Sequence, residues 1–137
     1  MPLLAIVIPV VCHFLSLVPS AKTLQNLPNC EDSRALPSYI QEPLFVEIDI
    51  AKGQNPSMAY DCELDVRALN FLRGRESEAE GITYTEFFRE SVHYKILAQE
   101  AAQNWTQKLQ QMGEKKKFGC NLIEDPLGWY RVGCLYE

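Results

Sequence analysis

The chain has 137 residues, 47% of them hydrophobic and 23% charged, which is the range of one globular domain with a modest core. Its 13 Lys+Arg against 18 Asp+Glu leave a net charge of −5. That balance excludes the basic footprint of a nucleic-acid binder and gives no hold on an anionic membrane surface.

The sequence opens with MPLLAIVIPVVCHFLSLVPS, apolar from Leu3 to Val18 and interrupted by Pro9. It reads as a secretory signal peptide over residues 1–20, cleaved before Ala21, with Val18 and Ser20 as the small residues preceding the cut. The competing reading, a membrane anchor, asks for about 20 apolar residues, and no other segment could cross a bilayer. Export makes the expected product extracellular. Cleavage removes Cys12 and leaves Cys30, Cys62, Cys120 and Cys134. An even number of cysteines in an exported chain implies two disulfides, with three pairings open. The short spacing favours Cys120–Cys134, a loop of about 15 residues contributing roughly 3 kcal/mol on the chain-entropy model, and leaves Cys30 with Cys62. A four-cysteine zinc site would want a close C-x-x-C pair, which is missing.

Residues 21–43 carry Pro28, Pro37 and Pro43 and read as irregular. From Leu44 to Gly53 the alternation of Val46, Ile48 and Ile50 has the period of a strand, while Gly53 stands where a helix would stop. After Ser57, the residues Tyr60, Leu64, Ala68 and Leu72 recur four apart, widened by Val66 and Phe71. An amphipathic helix ending at Gly74 is expected, with Asp61, Glu63 and Asp65 in its acidic first turn. GRESEAEG, residues 74–81, is a solvated loop. Thr83 and Glu86 have capping-box spacing, which predicts a further helix carrying Phe88, Val92 and Ile96, then Leu97, Ala101, Trp105, Leu109 and Met112. This is either one long helix or two joined near Ala98, closed by Gly113. Asn104-Trp105-Thr106 makes Asn104 a candidate glycan acceptor, although Trp105 belongs to an apolar helical stripe. Glu114 to Lys117 form a solvated bend. Strands are expected at 117–124 and 129–136, joined by Asp125-Pro126-Leu127-Gly128, whose proline and glycine fit a type I turn. Without repeats or low-complexity segments, the fold class is a single α+β domain over residues 21–137.

Three of these stretches together resemble the activation-associated secreted proteins of parasitic nematodes, in the CAP (SCP/TAPS) superfamily. MAYDCELDVRALNF resembles the start of their second conserved helix, AQEAAQNWTQKLQQMG the next helix, and FGCNLIEDPLGWYRVGCLYE their final disulfide-bridged hairpin; the AKG of Ala51–Gly53 fits the end of their first helix. The resemblance spans residues 40–137. It implies a shortened CAP-like α-β-α sandwich with a C-terminal disulfide-bridged β-hairpin, and it makes residues 40–52 a helix. The superfamily's cavity presents two histidines and two acidic residues that sometimes bind zinc. In this chain Glu42-Pro43-Leu44 occupies the place of the first histidine, and the segment carrying the second is missing between Gly113 and Phe118. The cleaved chain keeps a single histidine, His93, so no metal and no cofactor are expected. The glycine-proline-rich tail after the last cysteine is missing too. The pattern is most similar to the shortened branch called ASP-related proteins (ASPRs).

Catalysis needs a nucleophile with its base, acids in contrasting environments, or a metal. His93, with Arg89, Glu90 and Leu97 as its helical neighbours, forms no triad motif; the cysteines are taken by disulfides; Glu76, Glu78 and Glu80 form a loop run. The chain therefore reads as non-enzymatic. The resemblance implies a secreted binding protein whose partner is an extracellular host or parasite protein or lipid, acting at the host interface. Trp129 and Tyr130 are candidate contact residues, with core packing as the alternative for Trp129. The alternative function is a small lipid or sterol carrier, which requires an apolar cavity of several hundred Å³. A residual hydrolase would depend on His93.

Overall fold

The computed structural model describes residues 27–53 and 57–137, and the expected signal peptide, residues 1–20, lies outside them. The described residues form α1 (Ser38–Lys52), β1 (Ala59–Tyr60), α2 (Cys62–Leu72), β2 (Thr83–Glu90), α3 (Tyr94–Gln110), β3 (Lys117–Glu124) and β4 (Trp129–Tyr136). The strands make one sheet in the order β1-β3-β4-β2, with β1 parallel to β3 and the other pairs antiparallel. Successive strand residues point to opposite faces. Phe118, Cys120, Val132, Cys134 and Tyr136 join the core built with α1 and α3, whereas Leu135 packs on Leu64, Ala68 and Phe71 of α2. The result is the expected shortened α-β-α sandwich.

The helical period decides the region around Pro43. Ile40, Leu44, Ile48 and Lys52, with Gln41 and Phe45 beside them, fall on one buried face of α1. Ile50, which completed the strand-like alternation, is 60% exposed. The strand reading is thus overturned, and the helix begins at Ser38, inside the stretch expected to be irregular. Pro43 sits within the helix. A proline there removes one backbone hydrogen bond, and the burial of Leu44, Phe45 and Ile48 outweighs that loss. Gly53 closes the helix at φ 85°, its N–H donating to the Asp49 carbonyl.

β1 takes Tyr60 out of the helix expected from Ser57. Asp61 instead caps α2, accepting the Leu64 N–H at 2.9 Å, and Gly74 follows the helix end at φ 70°. The larger correction concerns Thr83 to Glu90. The capping box opens no helix: the segment is β2, paired along its whole length with β4. TYTEFFRE is rich in β-branched and aromatic residues, which suit a pleated surface, and an eight-residue antiparallel partner outweighs a local capping signal. α3 is a single helix starting at Tyr94, with no joint at Ala98; Leu97, Ala101, Trp105 and Leu109 form its buried face, and Ile96 lies off it. It ends at Gln110, ahead of Gly113.

His93 caps α3, its Nδ1 accepting the Lys95 N–H at 3.2 Å. His93→Ala is expected to cost about 0.5–1 kcal/mol through loss of that cap, read from the urea midpoint, with no change in helix content.

The terminal hairpin has the expected bounds. Gly128 N–H donates to the Asp125 carbonyl at 3.0 Å, and Asp125 Oδ1 accepts from the N–H groups of Leu127 and Trp129 at 2.9 and 3.0 Å. Gly128 has φ 83°, a conformation glycine adopts without strain. The disulfides are Cys120–Cys134 across the hairpin and Cys30–Cys62, which ties the segment before α1 to the start of α2.

Candidate binding face

The faces of the sheet are covered unequally. α2 packs over Gly119, Leu135 and the Tyr84 end of β2, where the Tyr84 ring meets that of Phe71 at a tilt, centroids 5.2 Å apart. Toward the hairpin turn the same face continues as Phe88, Trp129 and Arg131, outside the cluster buried beneath α2. Phe88 is 48% exposed and stacks on Trp129 with ring centroids 4.8 Å apart. The Arg131 guanidinium lies 5.5 Å from the Phe88 centroid and pairs with Glu86 at 3.0 Å. Trp129 therefore leaves the core, and its surroundings of aromatic rings and an arginine are the composition enriched at interface anchors.

Tyr130, one residue on, points to the other face. It stacks on Tyr94 at 5.9 Å, which in turn meets Tyr39 at 5.4 Å. The hydrogen bond to Tyr130, with a smaller contribution from burial, raises the Tyr94 hydroxyl above the ordinary tyrosine range. The two candidate contact residues thus belong to separate surfaces.

Asp65 stands in the acidic first turn of α2, as expected, and its side chain is fully buried. Its carboxylate accepts from Tyr60 Oη at 2.5 Å, Asn121 Nδ2 at 2.9 Å and the Leu36 N–H at 3.1 Å. Burial pushes its pKa from 3.8 to about 6, against the lowering effect of these donors, and burial likewise drives the Tyr60 hydroxyl well up. Tyr60 also accepts the Cys120 N–H at 3.2 Å, so one hydroxyl continues the short β1 strand along the β3 edge. The available signal was positional: Asp65 shares a helix face with Ala68, Leu69 and Leu72, all buried.

The remaining candidates are dispersed. Asn104 is exposed on α3, while the Thr106 hydroxyl donates to the Ala102 carbonyl at 2.8 Å and Trp105 is buried with Nε1 on the Glu86 carbonyl at 3.2 Å. Leu44 is in the core, whereas Glu42 and Pro43 line a groove of about 240 Å³ with Val46, Glu47, Lys95 and Gln99. Among the described residues no three His, Cys, Asp or Glu side chains gather where a metal ion could be held, and no helix is long and apolar enough to cross a membrane.

The family model for Ancylostoma-associated secreted protein related proteins (ASPRs) matches residues 29–136, from the first disulfide to the last residue of β4. The chain belongs to that family. Solved structures share the fold with this ASPR chain at low identity. Na-ASP-1 superposes with a TM-score of 0.59 at 13% identity, covering 79% of this chain, which spans 41% of that one. A hookworm platelet inhibitor gives 0.56 at 15% identity, covering 79% of this chain and 74% of its own. The Ancylostoma-secreted protein Ac-ASP-7 gives 0.56 at 15% identity, over 80% of this chain and 75% of its own. No curated protein matches the sequence.

Proposed function

We propose that this ASPR is a secreted, non-enzymatic binding protein of a parasitic nematode, acting at the host interface. The observation that carries the reading is the incomplete cover of the sheet by α2, which leaves the Phe88–Trp129–Arg131 surface on β2 and the disulfide-clasped hairpin it pairs with. Rigid elements present anchors at low entropic cost. Secretion is supported by the apolar leader, the two disulfides and the family, and a host-facing role by the neighbour described as a hookworm platelet inhibitor. His93, occupied as a helix cap, gives a hydrolase no support. The groove lined by Glu42 and Pro43, at about 240 Å³, falls below the roughly 300 Å³ at which small-molecule pockets begin, and a larger one of about 510 Å³ beside β3 has Arg34, Arg73, Asn121 and Glu124 in its lining, unlike the apolar cavity a lipid carrier requires.

The test is capture from host serum and cell surfaces by tagged, oxidised protein, with a full-length CAP protein as control and the Phe88→Ser/Trp129→Ser double variant beside it. A specific partner is expected, retained at least tenfold less by the variant. An empty capture by well-folded protein, or equal capture by the variant, sinks the reading.

A further inference from the structure

The sheet has an edge that its own chain does not finish. β1 pairs with β3 only at Lys117 and Phe118, so from Gly119 to Glu124 that side of β3 has no neighbouring strand among the described residues. The ladder fixes which backbone groups face it. Lys117 exchanges hydrogen bonds with Glu137, and Asp125 N–H donates to the Trp129 carbonyl, so the odd-numbered residues of β3 face β4 and the even-numbered ones face outward. Phe118 offers its carbonyl to Asp61, Cys120 is satisfied by the Tyr60 hydroxyl, and the Leu122 N–H by Asn121 Oδ1. The Leu122 carbonyl and both backbone groups of Glu124 find no partner among the described residues.

A groove of about 510 Å³ runs along this open stretch, between β3, the segment before α1 and the end of α2, with Leu36, Ile40, Leu69 and Leu122 among its apolar lining. Its charged residues are two guanidinium groups, Arg34 and Arg73, against the carboxylate of Glu124. Asp32 holds Arg34 at 2.8 Å, whereas Arg73 is exposed and forms no ion pair among the described residues. With Arg34 matched by Asp32, Arg73 is the groove's one cation without a carboxylate partner among the described residues, and it stands beside unpaired strand backbone.

We propose that the edge of β3 at Leu122–Glu124 docks an extended acidic peptide segment of a partner protein, which adds a short strand to the sheet and sets a carboxylate against Arg73. The proposal rests on the binding-protein reading and names its partner's chemistry. Strand addition draws affinity from main-chain hydrogen bonds and specificity from alternate side chains, and Ile123, on the face that carries Arg131, joins the groove to the aromatic surface.

Glu124→Pro removes only an outward N–H and leaves the β3–β4 ladder intact, a substitution that edge positions tolerate. Arg73→Glu reverses the charge at an exposed site. A random decapeptide phage library is panned on oxidised protein spanning residues 21–137, and the recovered peptides are measured against both variants. The expected peptides are acidic, with proline depleted from their centres, and bind each variant at least tenfold more weakly, with unfolding midpoints showing both variants folded. Peptides that bind either variant as tightly as the wild type overturn the proposal, as does a library that yields none. Sedimentation that finds a dimer of this chain dissolved by Glu124→Pro assigns the edge to a second copy, and overturns it as well. Any of these results can coexist with host-protein capture through Phe88 and Trp129, whose loss is the separate failure of the binding-protein reading.

Discussion

Gly119→Ala is expected to destabilise the domain by about 3 kcal/mol or more, at the upper end of what overpacking a core costs. Gly119 lies where α2 crosses β3. A Cβ there would stand 2.2 Å from Asp65 N, 2.5 Å from the Asp61 carbonyl oxygen and 2.6 Å from Leu64 C. All three neighbours are backbone, so no rotamer change relieves the clash and α2 itself must move. That movement is opposed at several points. The Asp61 N–H donates to the Phe118 carbonyl at 2.7 Å, Cys62 is tied to Cys30, and the Asp65 carboxylate is held by three donors from other segments. Gly113→Ala is the matched control, since nothing lies within 4 Å of its Cβ position, and surface changes of that kind stay within about 0.5 kcal/mol. Equal urea midpoints for the two variants would show that α2 does not sit on β3 at this separation.

How far the sequence reveals this architecture depends on where each element draws its stability. The β3–β4 hairpin was legible because its signals are local: a four-residue turn with proline and glycine in place, and cysteines at facing positions. α1 was ambiguous because Val46, Ile48 and Ile50 alternate while Ile40, Leu44 and Ile48 step by four, and only the burial of the second set separates the two readings. β2 was misread because its decisive partner, β4, lies 39 to 53 residues away in the chain, whereas the competing capping box lies within four residues. At the candidate face the reading found Trp129 but paired it with Tyr130, its neighbour in sequence and not in space. Phe88, which Trp129 does stack on, had been placed on a helix. Strand alternation separates the first pair, and cross-strand register makes the second.

Asp65 provides the pH dependence with the largest expected effect. Its folded pKa, about 6, lies above the ordinary 3.8 because burial disfavours the charged form, and the nearby Asp32 adds to the rise. A group with a raised folded pKa contributes stability that is fully present below its unfolded value and lost as pH rises through the folded one. The domain should therefore gain stability as pH falls from about 7 toward about 4. The gap between 3.8 and about 6, at about 1.4 kcal/mol per pH unit, makes Asp65's share about 3 kcal/mol. Asp49, also raised by burial, acts in the same direction; Asp32, lowered to about 2 chiefly by its hydrogen bond to Arg34, acts in the opposite one and only in more acid solution. Asp65→Asn separates the contributions. The amide keeps an acceptor for the Leu36 N–H, and the Tyr60 hydroxyl can donate to the Cys120 carbonyl, 3.1 Å away. Urea unfolding between pH 4 and pH 7 should show a slope in the wild type that is largely flattened in Asp65→Asn. Asp65→Ala, by contrast, leaves the buried Leu36 N–H without an acceptor, while Asn121 keeps the Arg34 carbonyl and Tyr60 the Cys120 carbonyl, and should be less stable than Asp65→Asn at every pH by about 1–3 kcal/mol, the cost of one buried unpaired group. A wild type whose stability is level across this window, or an asparagine variant with the same slope, would show that Asp65 is not held as a buried, ionising carboxylate.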